Sequence, residues 1–216
     1  MEHLRKLMNA YDAISRIYPE TREGGLLARK LLEEVKDLIS GLTPGVVLDI
    51  GAGAGGNLGI TRTSLSNSLY IGCELSMGMI RASGGIIEWV NCSATHLPTR
   101  PGSIDLVMSI SALHHVPREL MRHVLRGVYE SLRPGGLFIA TVWGCDKNTL
   151  RRLIPIGDCE GYIPWSHGLS ERIHRYYRLF RGGELDDEAL KIGFSIIRSG
   201  VIRVGAFTNY YIVSRK

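Results

Sequence analysis

Long apolar runs are missing from these 216 residues. None approaches the ~20 residues that a bilayer-spanning helix needs, and Met1–Arg5 does not open a signal peptide, so a soluble, cytoplasmic chain without a membrane partner is expected. Cysteine is scarce: Cys73, Cys92, Cys145 and Cys159 form no C-x-x-C pair and have no histidine at ligand spacing. That scatter argues against a structural metal and against disulfides. Internal repeats, low-complexity stretches and linker-like segments are also absent, which leaves a single domain over 1–216. Neither charge sign dominates, since 26 Lys and Arg face 21 Asp and Glu. The resulting net charge of +5 is compatible with a nucleic-acid partner without naming one.

What is present is an alternation of helical and strand patterns. Leu4, Leu7, Met8, Tyr11, Ile14 and Tyr18 fall at helical spacing before Pro19, and Leu27, Leu31, Val35 and Leu38 stripe a second helix. Short apolar runs follow at Val46–Ile50, Leu69–Cys73, Ile86–Asn91, Ile104–Ile110 and Leu137–Val142, which is the rhythm of βαβ units and a parallel sheet. Between the last two, Pro117 takes a helix N1 position, Leu120, Met121, Val124, Leu125 and Val128 form the buried stripe, and Arg133-Pro134-Gly135-Gly136 stops the helix. A helix is predicted around Ser170–Phe180, then an antiparallel strand pair at Gly193–Val204 and Ala206–Ser214. The organisation expected is N-terminal helices over 1–42, a cofactor-binding half over 43–145, and a substrate-side helix with the strand pair over 146–216.

The richest stretch is Val46 to Gly56, where an apolar strand ends in Asp49 and opens into a turn without bulky side chains. Gly51 and Gly53 permit a sharp strand-to-helix turn, and the N–H groups of the helix start favour an anionic or polar ligand. Gly51, Gly53 and Gly56 also satisfy the dinucleotide pattern G-x-G-x-x-G, so the glycines alone leave the cofactor open. Asp49 narrows the choice, because a carboxylate there suits a cationic ligand. Glu74 ends the next strand, 21 residues after Gly53, where an acid takes both ribose hydroxyls. Alone, each acid has an ordinary reading as a helix cap or a solvated loop acid; together with the glycines they bracket a nucleoside. Leu75, Ser93, Ala94 and Ile110 extend that expected contact set, with Cys92-Ser93-Ala94 positioned to read an adenine edge.

This pattern resembles the class I S-adenosylmethionine-dependent methyltransferases from Val46 onward. The resemblance implies an α/β fold with a doubly wound, mostly parallel seven-stranded sheet and S-adenosyl-L-methionine as cofactor. The family commonly carries Asp where Ser93 stands, so a neutral hydroxyl would take the adenine contact here.

Several segments also resemble the tRNA wobble-uridine carboxymethyl methyltransferases: Tyr11-Asp12-Ala13-Ile14 with Thr21-Arg22, Ile110 to His115, Thr141-Val142-Trp143, and Arg175 to Leu185. That likeness implies methyl esterification of the carboxylate of 5-carboxymethyluridine in tRNA. It also implies a small zinc-binding activator subunit pairing with the sheet edge at Ile86–Val90. His115 and Arg22 are the candidates for orienting the acceptor, and Arg22, His114, His115, Trp143, Arg175 and Tyr177 for binding it. The mixture of arginines and aromatic rings in the tail suits phosphates and stacked bases. Competing readings are a small-molecule O- or N-methyltransferase of the same fold, a non-catalytic RNA-binding scaffold, and, more distantly, an NAD-dependent enzyme.

Overall fold

The computed structural model describes residues 2–18, 25–57, 67–83 and 87–216. Helices α1 (Glu2–Ile14) and α2 (Leu26–Ile39) lead into β1 (Val46–Ile50), β2 (Leu69–Glu74), α3 (Met77–Ala82), β3 (Glu88–Asn91) and β4 (Ile104–Ile110). A 3-10 turn at Leu113–His115 joins β4 to α4 (Arg118–Ser131), which runs directly into β5 (Leu132–Trp143). Then come α5 (Lys147–Leu150), β6 (Ile154–Gly157), β7 (Glu160–Trp165), β8 (Ile173–Arg178), α6 (Glu184–Ile192), β9 (Ser195–Val204) and β10 (Phe207–Arg215). No helix among the described residues is long and apolar enough to cross a membrane.

Seven strands form one sheet in the order β3-β2-β1-β4-β5-β10-β9. Strands β1 to β5 are parallel, and β10 pairs antiparallel with both β5 and β9. The strand period of two splits the apolar side chains between the faces. Leu48, Ile50, Val107 and Phe138 pack beneath α4 and α6, through Met121, Val124, Leu125, Val128, Leu185 and Ala189. Val47, Leu106, Ile139 and Val213 pack on the other face against Ala28, Leu31, Val35 and Ile39 of α2. The sheet is therefore covered on both sides, and the carboxyl ends of β1, β2 and β4 open onto one crevice.

The tail departs from expectation. Instead of a helix around Ser170–Phe180, residues Ile173–Arg178 form β8, which pairs antiparallel with β7 in a second sheet of order β6-β7-β8. Its last four residues are all buried, so both faces of the strand are covered and no alternation of hydrophobicity marks it. The helix of this region is α6, between Gly183 and Gly193, both of positive φ. Gly193 thus caps a helix instead of opening β9. Pro117 is the N-cap of α4, one position earlier than predicted, and Arg133-Pro134-Gly135-Gly136 is absorbed into an irregular start of β5.

The cysteines are a further correction. Cys73 is bonded to Cys92, and Cys145 to Cys159, with Cα separations of 5.5 and 5.7 Å. The first pair lies 19 residues apart in sequence, but the crossover from β2 to β3 sets the two strand ends side by side. Spacing along the chain does not register such a neighbour.

Candidate active site

The turn after β1 is built from backbone that a side chain would spoil. Gly51 and Gly53 have φ of 71° and 59°, and a Cβ on Gly51 would collide with that of Ala112 at the end of β4. Gly56 and Asn57 are helical, and residues 58–66 lie outside the described residues. Glu74 holds the turn from the neighbouring strand: its Oε2 accepts the Gly53 N–H at 2.8 Å and its Oε1 the Ser76 N–H at 2.8 Å. Each carboxylate oxygen keeps a further lone pair for a ligand. Burial raises the Glu74 pKa against the pull of those two amides. Beneath the turn Asp49 is completely buried, and among the described residues neither of its oxygens has a hydrogen-bond partner. Burial, reinforced by the Glu74 charge, pushes its pKa from 3.8 up to about 8. An orphaned carboxyl at this depth is satisfied best by a cationic ligand above it.

Above the turn lies a cavity of about 910 Å³ that Gly51, Gly53, Glu74, Leu75, Ala94 and Ile110 help to line. Tyr11 of α1 and His115 of the 3-10 turn close its far side. The His115 Nδ1 lies 2.7 Å from the Tyr176 carbonyl, which only accepts, so that nitrogen carries the proton. In the neutral ring Nε2 then accepts from the Tyr11 hydroxyl, also at 2.7 Å. His114 turns inward instead: it stacks on Tyr177 at 5.1 Å and lies 5.4 Å from Trp143, with 1 % of its surface exposed. Behind Tyr11 sits Arg175, buried, with its guanidinium 4.8 Å from the Trp165 ring, 5.4 Å from Tyr177 and 5.9 Å from Tyr11. Burial opposes its charge, and the Tyr177 and Tyr11 phenols outweigh that, keeping its pKa above the ordinary arginine value. No carboxylate pairs with Arg175 among the described residues. Among those residues its Nε has no hydrogen-bond partner either.

Comparison with known proteins agrees with this geometry. A family model described as a methyltransferase domain matches residues 47–136, the span from β1 to the start of β5. A fission yeast protein, the tRNA (carboxymethyluridine(34)-5-O)-methyltransferase of Schizosaccharomyces pombe, is 28% identical over 95% of this chain and 94% of its own length. The Arabidopsis thaliana protein of the same name is 31% identical over 63% of this chain, and the match spans 32% of that longer protein. Among solved structures, a methyltransferase in complex with the Haloferax volcanii Trm112 methyltransferase activator superposes with a TM-score of 0.72 at 16% identity, covering 97% of this chain and 96% of that one.

The chain is an S-adenosylmethionine-dependent methyltransferase. Its residues fit the cofactor: Asp49 is orphaned under the turn, Glu74 keeps free lone pairs at the wall, and the glycines leave space where a Cβ would intrude. Asp49 itself is not on the cavity wall but lies beneath the turn. Ser93 is not on the wall either, because its hydroxyl pairs with Thr95 Oγ1 at 2.8 Å; Thr95 lines the cavity in its place. Among the expected acceptor residues the structure gathers His114, His115, Trp143, Arg175 and Tyr177 into one cluster, with only His115 on the wall. Arg22 lies outside the described residues. Sequence reasoning missed Ser111, a non-glycine residue of positive φ (59°) on the wall, whose N–H is bound by Thr141 Oγ1 at 3.0 Å. It also missed Ser76, Met79, Arg152 and Phe207, which carry no motif.

Proposed function

We propose that this methyltransferase esterifies the carboxylate of 5-carboxymethyluridine at the wobble position of tRNA. The observation that carries the reading is the fission yeast relative, whose name states that reaction and whose match spans nearly the full length of both chains. The Arg175 cluster supports it, since a buried cation without an acid partner suits an anionic acceptor.

When bound, the cofactor supplies an electrophilic sulfonium methyl. The acceptor carboxylate, with a pKa of roughly 4, is ionised at neutral pH and needs no general base. The protein's work is therefore orientation and exclusion of water. His115 is a positioning residue: both ring nitrogens are engaged, and it fixes the Tyr11 hydroxyl against the cavity. Arg175 attracts the carboxylate from behind Tyr11. Gripping the nucleophilic oxygens directly would blunt their attack. Ile86 lies outside the described residues, but Glu88–Asn91 is the edge strand β3, and Leu69, Met77 and Val90 nearby are exposed. We infer that the small zinc-binding activator subunit adds to this edge, which an unpaired strand invites.

Methyl transfer from labelled S-adenosylmethionine to total tRNA, with and without that subunit, tests the reading, followed by mass spectrometry of the wobble nucleosides. A methyl ester of 5-carboxymethyluridine is the expected product. Incorporation only into small molecules would sink it.

A further inference from the structure

Four exposed arginines, Arg118, Arg122, Arg133 and Arg181, and the half-buried Arg198 are each neutralised by a carboxylate. A second group of cations behaves differently. Arg29 and Lys30 sit in the first turns of α2, Arg203 near the end of β9, and Lys147, Arg151 and Arg152 on and just after α5. Among the described residues none of these six has an acid partner. The topology explains why they meet: α2 starts, β5 ends and the β9–β10 hairpin turns at the carboxyl end of the parallel strands. Hydrogen bonds then lock the three elements together. Lys30 Nζ donates to the Arg203 carbonyl at 2.9 Å, Asn148 Nδ2 to the Ala206 carbonyl at 2.8 Å, and the Thr208 N–H to Asp146 Oδ2 at 2.9 Å. Among the described residues Asp146 is the one acid inside the group, and it is occupied by the Asn148, Thr149 and Thr208 amides and the Thr149 hydroxyl.

Arg29, Arg152 and Phe207 also line the mouth of the methyl-transfer cavity. From there a series of ring contacts runs inward. The Arg152 guanidinium lies over Phe207 at 5.2 Å, Phe207 stacks on Trp143 at 6.2 Å, Trp143 lies 5.1 Å from Tyr177, and Tyr177 is covered by Arg175 at 5.4 Å. Unpaired cations leading into stacked rings are what a single-stranded nucleic acid requires, with charge for its phosphates and π faces for its bases.

We propose that this basic rim, with Phe207, is the track on which the single-stranded RNA flanking the target uridine docks. The proposal rests on the tRNA reading above and adds where the RNA lies: across the β9–β10 hairpin and α5.

Charge reversal at Lys147, Arg151 and Arg203, none of which lines the cavity, tests it. The probe is a tRNA anticodon stem-loop carrying 5-carboxymethyluridine, with binding followed by fluorescence anisotropy across a salt series. The Lys147→Glu/Arg151→Glu/Arg203→Glu protein should bind it at least tenfold more weakly. The slope of log affinity against log salt should shrink by about 0.7 per lost phosphate contact. KM for RNA should rise, while kcat at saturation and calorimetric affinity for S-adenosylmethionine stay at the wild-type values. Unchanged affinity and salt slope would overturn the track. If the triple reversal also loses cofactor binding, the glutamine triple at the same positions decides by the same slope. A wild-type protein that methylates no RNA would instead refute the proposed function, so the two failures are distinguishable.

Discussion

Replacing Asp49 with asparagine should make the ligand-free protein more stable, and more so as the pH rises. The carboxyl titrates near 3.8 in the unfolded chain and at about 8 in the fold, so between those values the native state holds a proton that the unfolded state has released. With more protons bound natively, stability falls as pH increases through that window and levels off above it. One pKa unit is worth about 1.4 kcal/mol. Beyond the cost of burying its neutral form unbonded, carrying Asp49 therefore adds almost nothing at pH 4, about 4 kcal/mol at pH 7 and about 6 kcal/mol above pH 8. The asparagine amide, unbonded in the same place, costs roughly 1–3 kcal/mol at every pH. It moves the variant's curve vertically and leaves its slope alone.

Urea denaturation of wild type and Asp49→Asn at four values between pH 5 and 8 separates the two effects. The difference should swing by about 3–4 kcal/mol in the variant's favour from pH 5 to pH 8. Against a typical total stability of 5–15 kcal/mol that is a large fraction. Parallel curves would refute the reasoning, since they would mean that Asp49 is solvated or paired in solution. The same carboxyl should matter in the opposite sense for ligand. A cationic cofactor favours the ionised form, so calorimetric affinity of the wild type should weaken as pH falls below about 8, and Asp49→Asn should bind roughly 10- to 100-fold more weakly at pH 8.

Glu74→Gln turns an amide NH₂ toward one of two backbone N–H donors, Gly53 or Ser76; equilibrium binding should show at least a tenfold loss of cofactor affinity. Glu184→Ala strips the buried Arg178 of its 2.8 Å partner and should cost about 3–5 kcal/mol by urea titration at pH 7. Burial works against ionised Glu184, but the Arg181 amide and Arg178 outweigh it and hold its pKa low. That stabilisation is present above the ordinary glutamate range and lost as pH falls through the lowered value, so the deficit should fade in acid. Cys73→Ser/Cys92→Ser should lower stability by about 3 kcal/mol, the loop-closure value for a 19-residue separation, and a reductant should have no further effect at that pair, as read by alkylation and mass spectrometry.

The cofactor half was legible because its constraints are local. Gly51 and Gly53 need positive φ, Asp49 interrupts an apolar strand, and Glu74 falls at the end of the next one, so chemistry and period agree within a few residues. Where contacts join distant segments, legibility failed. The Cys73–Cys92 bond joins two neighbouring strands through a crossover, and Arg152 with Phe207 reach the cavity from two elements that share no motif. Ser93 lies off the cavity wall for a subtler reason: its hydroxyl has a closer competitor for its hydrogen bond, Thr95, two residues away.

Residues Arg175 and Tyr177 were expected to act together on a helix, where residues two apart point to nearly opposite sides. On a strand, positions i and i+2 share a face, and β8 sets Arg175 and Tyr177 together, 5.4 Å from guanidinium to ring, toward Tyr11 and the histidines. Tyr176 and Arg178 then fall on the other face, where Tyr176 Oη donates to Glu160 at 2.6 Å and Arg178 pairs with Glu184. The segment is polar on both faces because each buried face carries its own ion or hydrogen-bond partner. A sequence pattern reads burial through hydrophobicity, and here burial is satisfied by charge and rings instead. The strand assignment thus has a chemical consequence the helix lacked. It separates an arginine that is neutralised, Arg178, from one that, among the described residues, is not, Arg175, and the latter lies behind Tyr11, on the side of the cavity where the proposed anionic acceptor binds.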